Sequence, residues 1–308
     1  MPLLYLLFFV SPGQNSQADP LNPALLAKIH GMYPEATMRA VRVYRDLVYA
    51  EYGEDRMRLD LYVQKDVKAP VPCIIVIRGG GFRSADKEHF APTAAALASE
   101  GFAAACMAYR GAPDHPFPAA VHDTKAAVRF VRAHADQYHI DGSRIGSLGQ
   151  SAGGHLAVML AVTGDIPELE GKGGHFGVSS RIQAAVSFAG VFNFISRLEE
   201  GGHQKRMVEK KRETNGLWVG EPFSPNSERW RKASPFFYVS QEDPPTLLVH
   251  CKPDRVVPYE QSVEMYEALR RYSDSHELVL FEEGGHGALK NKEAWRRTVG
   301  FFSIHLAP

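Results

Sequence analysis

The chain has 308 residues, with 35 Lys and Arg against 35 Asp and Glu, and 44% hydrophobic to 23% charged residues. This composition is that of a globular chain and excludes disordered, collagen-like and multi-span classes, while zero formal charge removes the overall field that would gather nucleic acid or anionic lipid. The length suits one large α/β core carrying an insertion.

In chain order, an apolar run from Leu3 to Val10 is too short to span a bilayer. It is followed by Ser16-Gln17-Ala18, whose small residues resemble a signal-peptidase site, although no Lys or Arg precedes the run. Residues 1–18 are therefore expected to be a signal peptide, giving a secreted or periplasmic product; without cleavage the protein would be cytoplasmic. Asn22 then Pro23 reads as a cap and helix start running through Ile29. From Arg39 to Gln64, two runs rich in Val, Leu and Tyr flank Gly53-Glu54-Asp55, which predicts an antiparallel pair joined by a turn.

After Pro72 strands alternate with helices. Cys73 to Ile77, Phe102 to Tyr109, Arg144 to Gly149, Ile182 to Phe188, Thr246 to His250 and Leu278 to Phe281 read as strands. Helices are expected over Phe90 to Ser99, Ala119 to His134, after Ser151, around Val263 to Leu269 and from Asn291 onward. Short apolar strands joined by long crossovers predict a mostly parallel twisted sheet with helices on both faces, an α/β fold. One interval breaks this rhythm: residues 190–240 hold a charged stretch, Lys205 to Glu213, together with Trp218 and Trp230. A cap over the carboxyl edge of the sheet is the expectation there, its charges reading as a solvated helix face. The 3 cysteines, Cys73, Cys106 and Cys251, each lie in or at the end of an apolar run and read as buried thiols, with no zinc or disulfide spacing.

The strongest chemical signal is Gly149-Gln150-Ser151-Ala152-Gly153, where a strand ends and a helix begins. A serine there sits on a sharp turn that tolerates only small neighbours and exposes its hydroxyl. Ser151 would also cap the following helix, whose N-terminus favours a developing oxyanion. Serine needs a base and an acid to orient that base, in the order Ser, Asp or Glu, His for this kind of fold. Asp254 follows one predicted strand and His286 the last, so both reach the same rim as Ser151. Gly79-Gly80-Gly81 follows the strand ending at Ile77, so the N–H groups of Gly80 and Gly81, with that of Ala152, are candidate oxyanion donors. Ser84-Ala85-Asp86-Lys87 matches S-x-x-K, yet its partner motifs are missing, and no zinc-protease, P-loop or strand-linked dinucleotide motif occurs. No cofactor, metal or nucleic-acid partner is expected.

Together, Arg78-Gly79-Gly80-Gly81-Phe82, Tyr109-Arg110, His115-Pro116-Phe117-Pro118, Gly149-Gln150-Ser151-Ala152-Gly153-Gly154-His155, Val256-Val257-Pro258 and Gly285-His286-Gly287 resemble the α/β-hydrolase esterases of the hormone-sensitive-lipase and acetyl-xylan/feruloyl-esterase type. The resemblance runs from about residue 40 to the C-terminus. It implies Ser151, Asp254 and His286 as a triad in a cofactor-free serine esterase, acting on short-chain carboxylic esters such as acetyl or feruloyl groups on plant polysaccharide. Two positions depart from the pattern: Arg78 stands where the family has His, and His250-Cys251-Lys252 where it has His-Gly-Asp. Arg78 is expected to brace the glycine loop through backbone carbonyls. An amide hydrolase using the same triad, or a non-catalytic binding protein on this scaffold, are the competing readings.

Overall fold

The computed structural model describes residues 19–20, 23–32, 41–83, 86–164 and 166–307. The expected signal peptide, the cap at Asn22, and Ser84 and Ala85 of the S-x-x-K match lie outside the described residues. After the short strand β1 (Asp19–Pro20) and helix α1 (Pro23–Met32), three residues longer than expected, come β2 (Val41–Tyr52) and β3 (Asp55–Gln64). These two pair antiparallel around Gly53, whose φ of +66° suits glycine at the turn.

The parallel part begins with β4 (Val71–Ile77), α2 (Ala91–Ser99), β5 (Ala103–Met107), α3 (Ala119–Ala133) and β6 (Ile140–Gln150). It continues through α4 (Ala152–Val162), β7 (Ala184–Phe188), β8 (Thr246–Cys251), α8 (Glu260–Leu269), β9 (Glu277–Phe281) and α9 (Lys292–His305). Between β7 and β8 lie α5 (Phe194–Leu198), α6 (Val208–Val219) and α7 (Glu228–Lys232). The sheet order is β1-β2-β3-β5-β4-β6-β7-β8-β9, parallel from β5 to β9.

Period-two alternation divides each central strand between two cores. Cys73, Ile75 and Ile77 face the core built with α3 and α4, whereas Ile74 and Val76 face the core built with α2 and α9. Both faces are thus buried, which explains why these strands read as unbroken apolar runs. All three cysteines are free and buried.

The three helices between β7 and β8 are fastened to the rest by an aromatic cluster. Trp218 stacks on Phe82 at 4.1 Å between ring centroids and meets Phe117 edge-on at 5.4 Å. Phe194 and Trp230 continue the cluster. Its backbone ties are Phe117 N–H to the Trp218 carbonyl at 2.6 Å and an Arg229 N–H to the Phe117 carbonyl at 2.7 Å. The charged stretch is not uniformly solvated: Lys211 and Asn215 of α6 turn toward a cavity at the sheet's carboxyl edge.

Candidate active site

Ser151 leaves the end of β6 with φ +56° and ψ −122°, a conformation that costs a non-glycine residue about 1–3 kcal/mol. The glycines around it make the turn possible. A Cβ on Gly149 would strike the Gly153 carbonyl, and one on Gly153 would strike the carbonyl of Ile77 at the end of β4. The elbow is held by Ser151 N–H donating to the Phe188 carbonyl at 2.7 Å and His155 N–H donating to the Ser151 carbonyl at 2.9 Å. Ser151 occupies the N-cap position of α4, but its hydroxyl makes no capping bond, contrary to expectation. With no capping bond to the helix, the hydroxyl stays available to the cavity that Ser151 lines.

Gly80 and Gly81, at φ +142° and +65°, run along the same cavity, with Phe82 at φ +64° closing the turn. Ala152 lines it from the first turn of α4, where amide N–H groups have no intrahelical acceptor. Bracing of the loop does not come from the Arg78 side chain. Its guanidinium reaches Asp86 at 3.5 Å. The loop is held instead by Tyr109, whose hydroxyl donates to the Arg78 carbonyl at 2.9 Å, and by Ala112 N–H donating to the Phe82 carbonyl at 2.9 Å. The Arg78 guanidinium is engaged by Asp86, whereas Tyr109 reaches the loop from just beyond the neighbouring strand β5.

Asp254 and His286 are brought together as expected: the Nδ1 of His286 lies 2.6 Å from Asp254 Oδ2. The Asp254 side chain is fully buried and that of His286 is 24% exposed. The carboxylate is saturated with donors. Val256 and Val257 N–H donate to Oδ1 at 2.7 and 3.0 Å, and His250 Nε2 lies 3.2 Å from Oδ2. Burial alone would raise the Asp254 pKa, but the hydrogen bonds from His250 and His286 and the His286 charge outweigh it, holding the carboxyl well below the usual range.

The role of His250 was not anticipated from the sequence. It is wholly buried; its Nδ1 lies 2.7 Å from Ser262 Oγ, and its Nε2 faces two acceptors, Asp254 and the Val257 carbonyl at 3.1 Å. That pairing requires the proton on Nε2, with Nδ1 accepting from Ser262. The sequence signal was its place four residues before the acid.

Ser151, Gly80, Gly81, Ala152 and His286 share one cavity of about 440 Å³, with Asp254 buried behind the histidine. Residues 59–269 match the BD-FAE protein family. The chain belongs to the BD-FAE family. Among relatives, it is 31% identical over 245 residues to the probable carboxylic ester hydrolase LipM of Mycobacterium tuberculosis, covering 77% of this chain and 55% of LipM. The chain spans about half the length of the curated relatives it matches, 55% of LipM and 51% of a probable isoprenylcysteine α-carbonyl methylesterase of Arabidopsis thaliana. Among solved structures, a truncated carbohydrate esterase from gut microbiota superposes with a TM-score of 0.77 at 25% identity, covering 89% of this chain and 99% of that one. A thermophilic esterase of Thermogutta terrifontis does so with a TM-score of 0.69 at 26% identity, covering 89% and 94%. The BD-FAE chain thus has the α/β-hydrolase fold of its esterase neighbours. Among its described residues no group of His, Cys, Asp and Glu could hold a metal ion, and no helix is long and apolar enough to cross a membrane.

Proposed function

We propose that this protein is a serine carboxylic ester hydrolase in which Ser151 is the nucleophile, His286 the general base and acid, and Asp254 the residue that orients His286. The observation carrying the reading is the buried Asp254 carboxylate at 2.6 Å from His286 Nδ1, beside a cavity that both His286 and Ser151 line. With Nδ1–H bound to Asp254, the lone pair of His286 resides on Nε2, the nitrogen that must take the serine proton.

The Ser151 oxygen bonds to the ester carbonyl carbon while its proton passes to His286. The tetrahedral oxyanion accepts hydrogen bonds from the N–H groups of Gly80, Gly81 and Ala152. Cleavage of the ester C–O bond releases the alcohol, which takes the proton from His286. Water, deprotonated by His286, then cleaves the acyl-serine, liberating the carboxylic acid and restoring the hydroxyl. Such donors act where the charge develops, so they favour the transition state over bound substrate.

Short acyl esters are the proposed substrates, with acetyl or feruloyl groups on plant polysaccharide as the polymer-linked form; the likeness to a carbohydrate esterase supports this. Residues 190–240 act as a cap that shapes the cavity from above, supported by the contribution of Arg197, Lys211 and Asn215 to its lining. Amide hydrolysis on the same residues is tested by matched amide substrates. The deciding experiment labels the wild type and Ser151→Ala with an aryl fluorophosphonate and follows 4-nitrophenyl esters of increasing chain length, acetylated xylan and methyl ferulate. Covalent labelling and turnover lost together in Ser151→Ala are expected; a wild type that neither labels nor turns over any of these esters would make the chain a binding protein.

A further inference from the structure

The cavity is also lined by a buried cation that has no ion-pair partner among the described residues. Arg197, near the end of α5, is 2% exposed. Its guanidinium donates to Gln204 Oε1 from Nε and Nη2, both at 3.1 Å, to the Val256 carbonyl at 2.9 Å and to Asn215 Oδ1 at 3.3 Å. Every one of these acceptors is uncharged. Among the described residues no carboxylate lies within ion-pairing distance of Arg197, and Asp254 is already saturated by four donors.

A guanidinium in the interior is expensive when no carboxylate pairs with it directly, and here the attraction of Asp254 only partly offsets the desolvation. Burial lowers the Arg197 pKa to about 10, so the group still carries its charge at neutral pH. Lys211, one α6 turn before Asn215, lines the same cavity, its pKa lowered by burial and then by the Arg197 charge. Two like charges are thus held on one side of a cavity into which both open.

The imbalance extends around the site. The described residues lining the cavity include Arg78, Arg83, Arg197 and Lys211, and none of them is Asp or Glu, in a chain whose 35 basic residues equal its acidic ones. Arg78 is partly compensated by the exposed Asp86. Among the described residues neither Arg197 nor Lys211 has an ion-pair partner, although the Asp254 charge acts on both from beyond contact. The four hydrogen bonds to Gln204, Val256 and Asn215 fix the Arg197 fork in place and leave one of its five N–H groups unused.

We infer that Arg197 and Lys211 form an anion subsite, and that the preferred substrate is an ester bearing a carboxylate on its alcohol or acyl part, seated against them. The inference rests on the esterase reading and adds a substrate class to it. Charge-assisted hydrogen bonds are stronger than neutral ones and should raise kcat/KM for the anionic ester by about tenfold.

The test compares esters matched in shape. For the alcohol side, 4-acetoxybenzoate is set against 4-acetoxybenzamide. For the acyl side, the 4-nitrophenyl monoester of terephthalic acid is set against 4-nitrophenyl 4-carbamoylbenzoate, rigid rings that keep the carboxylate from attacking its own ester. In at least one pair the wild type should favour the carboxylate about tenfold in kcat/KM, and the pair that responds identifies the side. Raising salt to about 0.5 M should erode the preference. Arg197→Gln should bring the ratio close to one, and Lys211→Gln, on a half-buried side chain whose loss the fold tolerates, should lower it at least threefold.

Turnover of the neutral esters with no carboxylate preference in either pair overturns the subsite while leaving the esterase reading intact. A preference unmoved by Lys211→Gln and by salt also overturns it, because Arg197 would then serve only the fold. Absence of turnover on all four esters, together with failure of the fluorophosphonate to label Ser151, overturns both readings.

Discussion

The side-chain amide of Gln150 donates to the backbone carbonyl of His286 at 2.6 Å. The residue before the proposed nucleophile therefore anchors the loop that carries the proposed base, across 136 positions of sequence. Small displacements of a reacting group cost large factors in rate. Gln150→Leu, which keeps the bulk but not the donor, should lower kcat on 4-nitrophenyl acetate about tenfold with KM little changed, as steady-state kinetics will measure.

Removal of the proposed catalytic groups should act as the loss of a unit. Ser151→Ala and His286→Ala are expected to lower kcat by several orders of magnitude, and Asp254→Asn by about 10⁴ by allowing the wrong histidine tautomer. Retention of more than a tenth of the wild-type rate in any of the three would overturn the assignment. His250→Asn, which loosens Asp254 without touching the substrate, should reduce kcat by about ten- to thirtyfold at constant KM; His250→Gln, whose amide can still reach the carboxylate, should recover part of it.

The backbone of Ser151 stores strain that glycine would not feel. Ser151→Gly should unfold at a higher urea midpoint than Ser151→Ala, corresponding to about 1 kcal/mol, although glycine ordinarily loses stability to alanine. Equal midpoints would show that the positive φ is held at no cost. Gly153→Ala, with its Cβ driven into the Ile77 carbonyl, should be strongly destabilised in the same measurement.

Tyr109→Phe should discriminate between the two ways of bracing the glycine loop. It removes the 2.9 Å bond to the Arg78 carbonyl and leaves the Arg78 side chain intact. A three- to tenfold fall in kcat is expected, smaller than the roughly 10²–10³ for losing an oxyanion donor outright. An unchanged kcat would leave the bracing to the backbone bond from Ala112 to Phe82.

His155 links stability to pH. Its Nδ1 lies 2.6 Å from the Val191 carbonyl, while its Nε2 is buried without a partner among Phe82, Phe194 and Trp218. Burial lowers its pKa to about 3, so the folded protein keeps it neutral while the unfolded chain takes up a proton near the reference pKa of ~6.5. Its contribution is lost as pH falls from ~6.5 toward 3, by up to about 1.4 kcal/mol per pH unit. Asp254 has the same sign but acts lower, since a depressed carboxylate loses its contribution only below its unfolded value of ~3.9. Burial also lowers His122, His175 and His276, so the wild-type slope between pH 6.5 and 4.5 is a sum. His155→Leu should flatten that slope, read from urea midpoints, and an unaltered slope would refute the assignment to His155.

The parts of this architecture that were legible in the sequence are those with a local cause. Strands buried on both faces announce themselves as apolar runs, and the elbow at Ser151 needs a spacing of glycines that sequence displays directly. Asp254 and His286 could be paired from the sequence because each follows a strand onto the same rim, and their side chains meet at 2.6 Å. What escaped depends on side chains meeting across long separations. Tyr109 reaches the loop after β4 from the strand beside it, and His250 turns its ring onto Asp254 through a bend no periodicity marks. Arg197 sits within the segment read as a cap, outside its charged stretch, and its surroundings are assembled from Gln204, Asn215 and Val256, which share no pattern. Arg78 was misread for the complementary reason, since a strand-end arginine carries no local sign of where its guanidinium will go.

The stacking of Trp218 on Phe82 has a further consequence for how substrate arrives. Phe82 directly follows Gly81, so the helices between β7 and β8 are welded to the loop proposed to bind the oxyanion. Swinging those helices aside would separate the stacked rings of Phe82 and Trp218 and disturb the proposed oxyanion loop in the act of uncovering it. The cavity must therefore be entered as it stands. Among the described residues these helices offer no part that an oil–water interface could open, so the proposed esterase rate should rise smoothly with dissolved ester, with no jump where the substrate begins to form micelles.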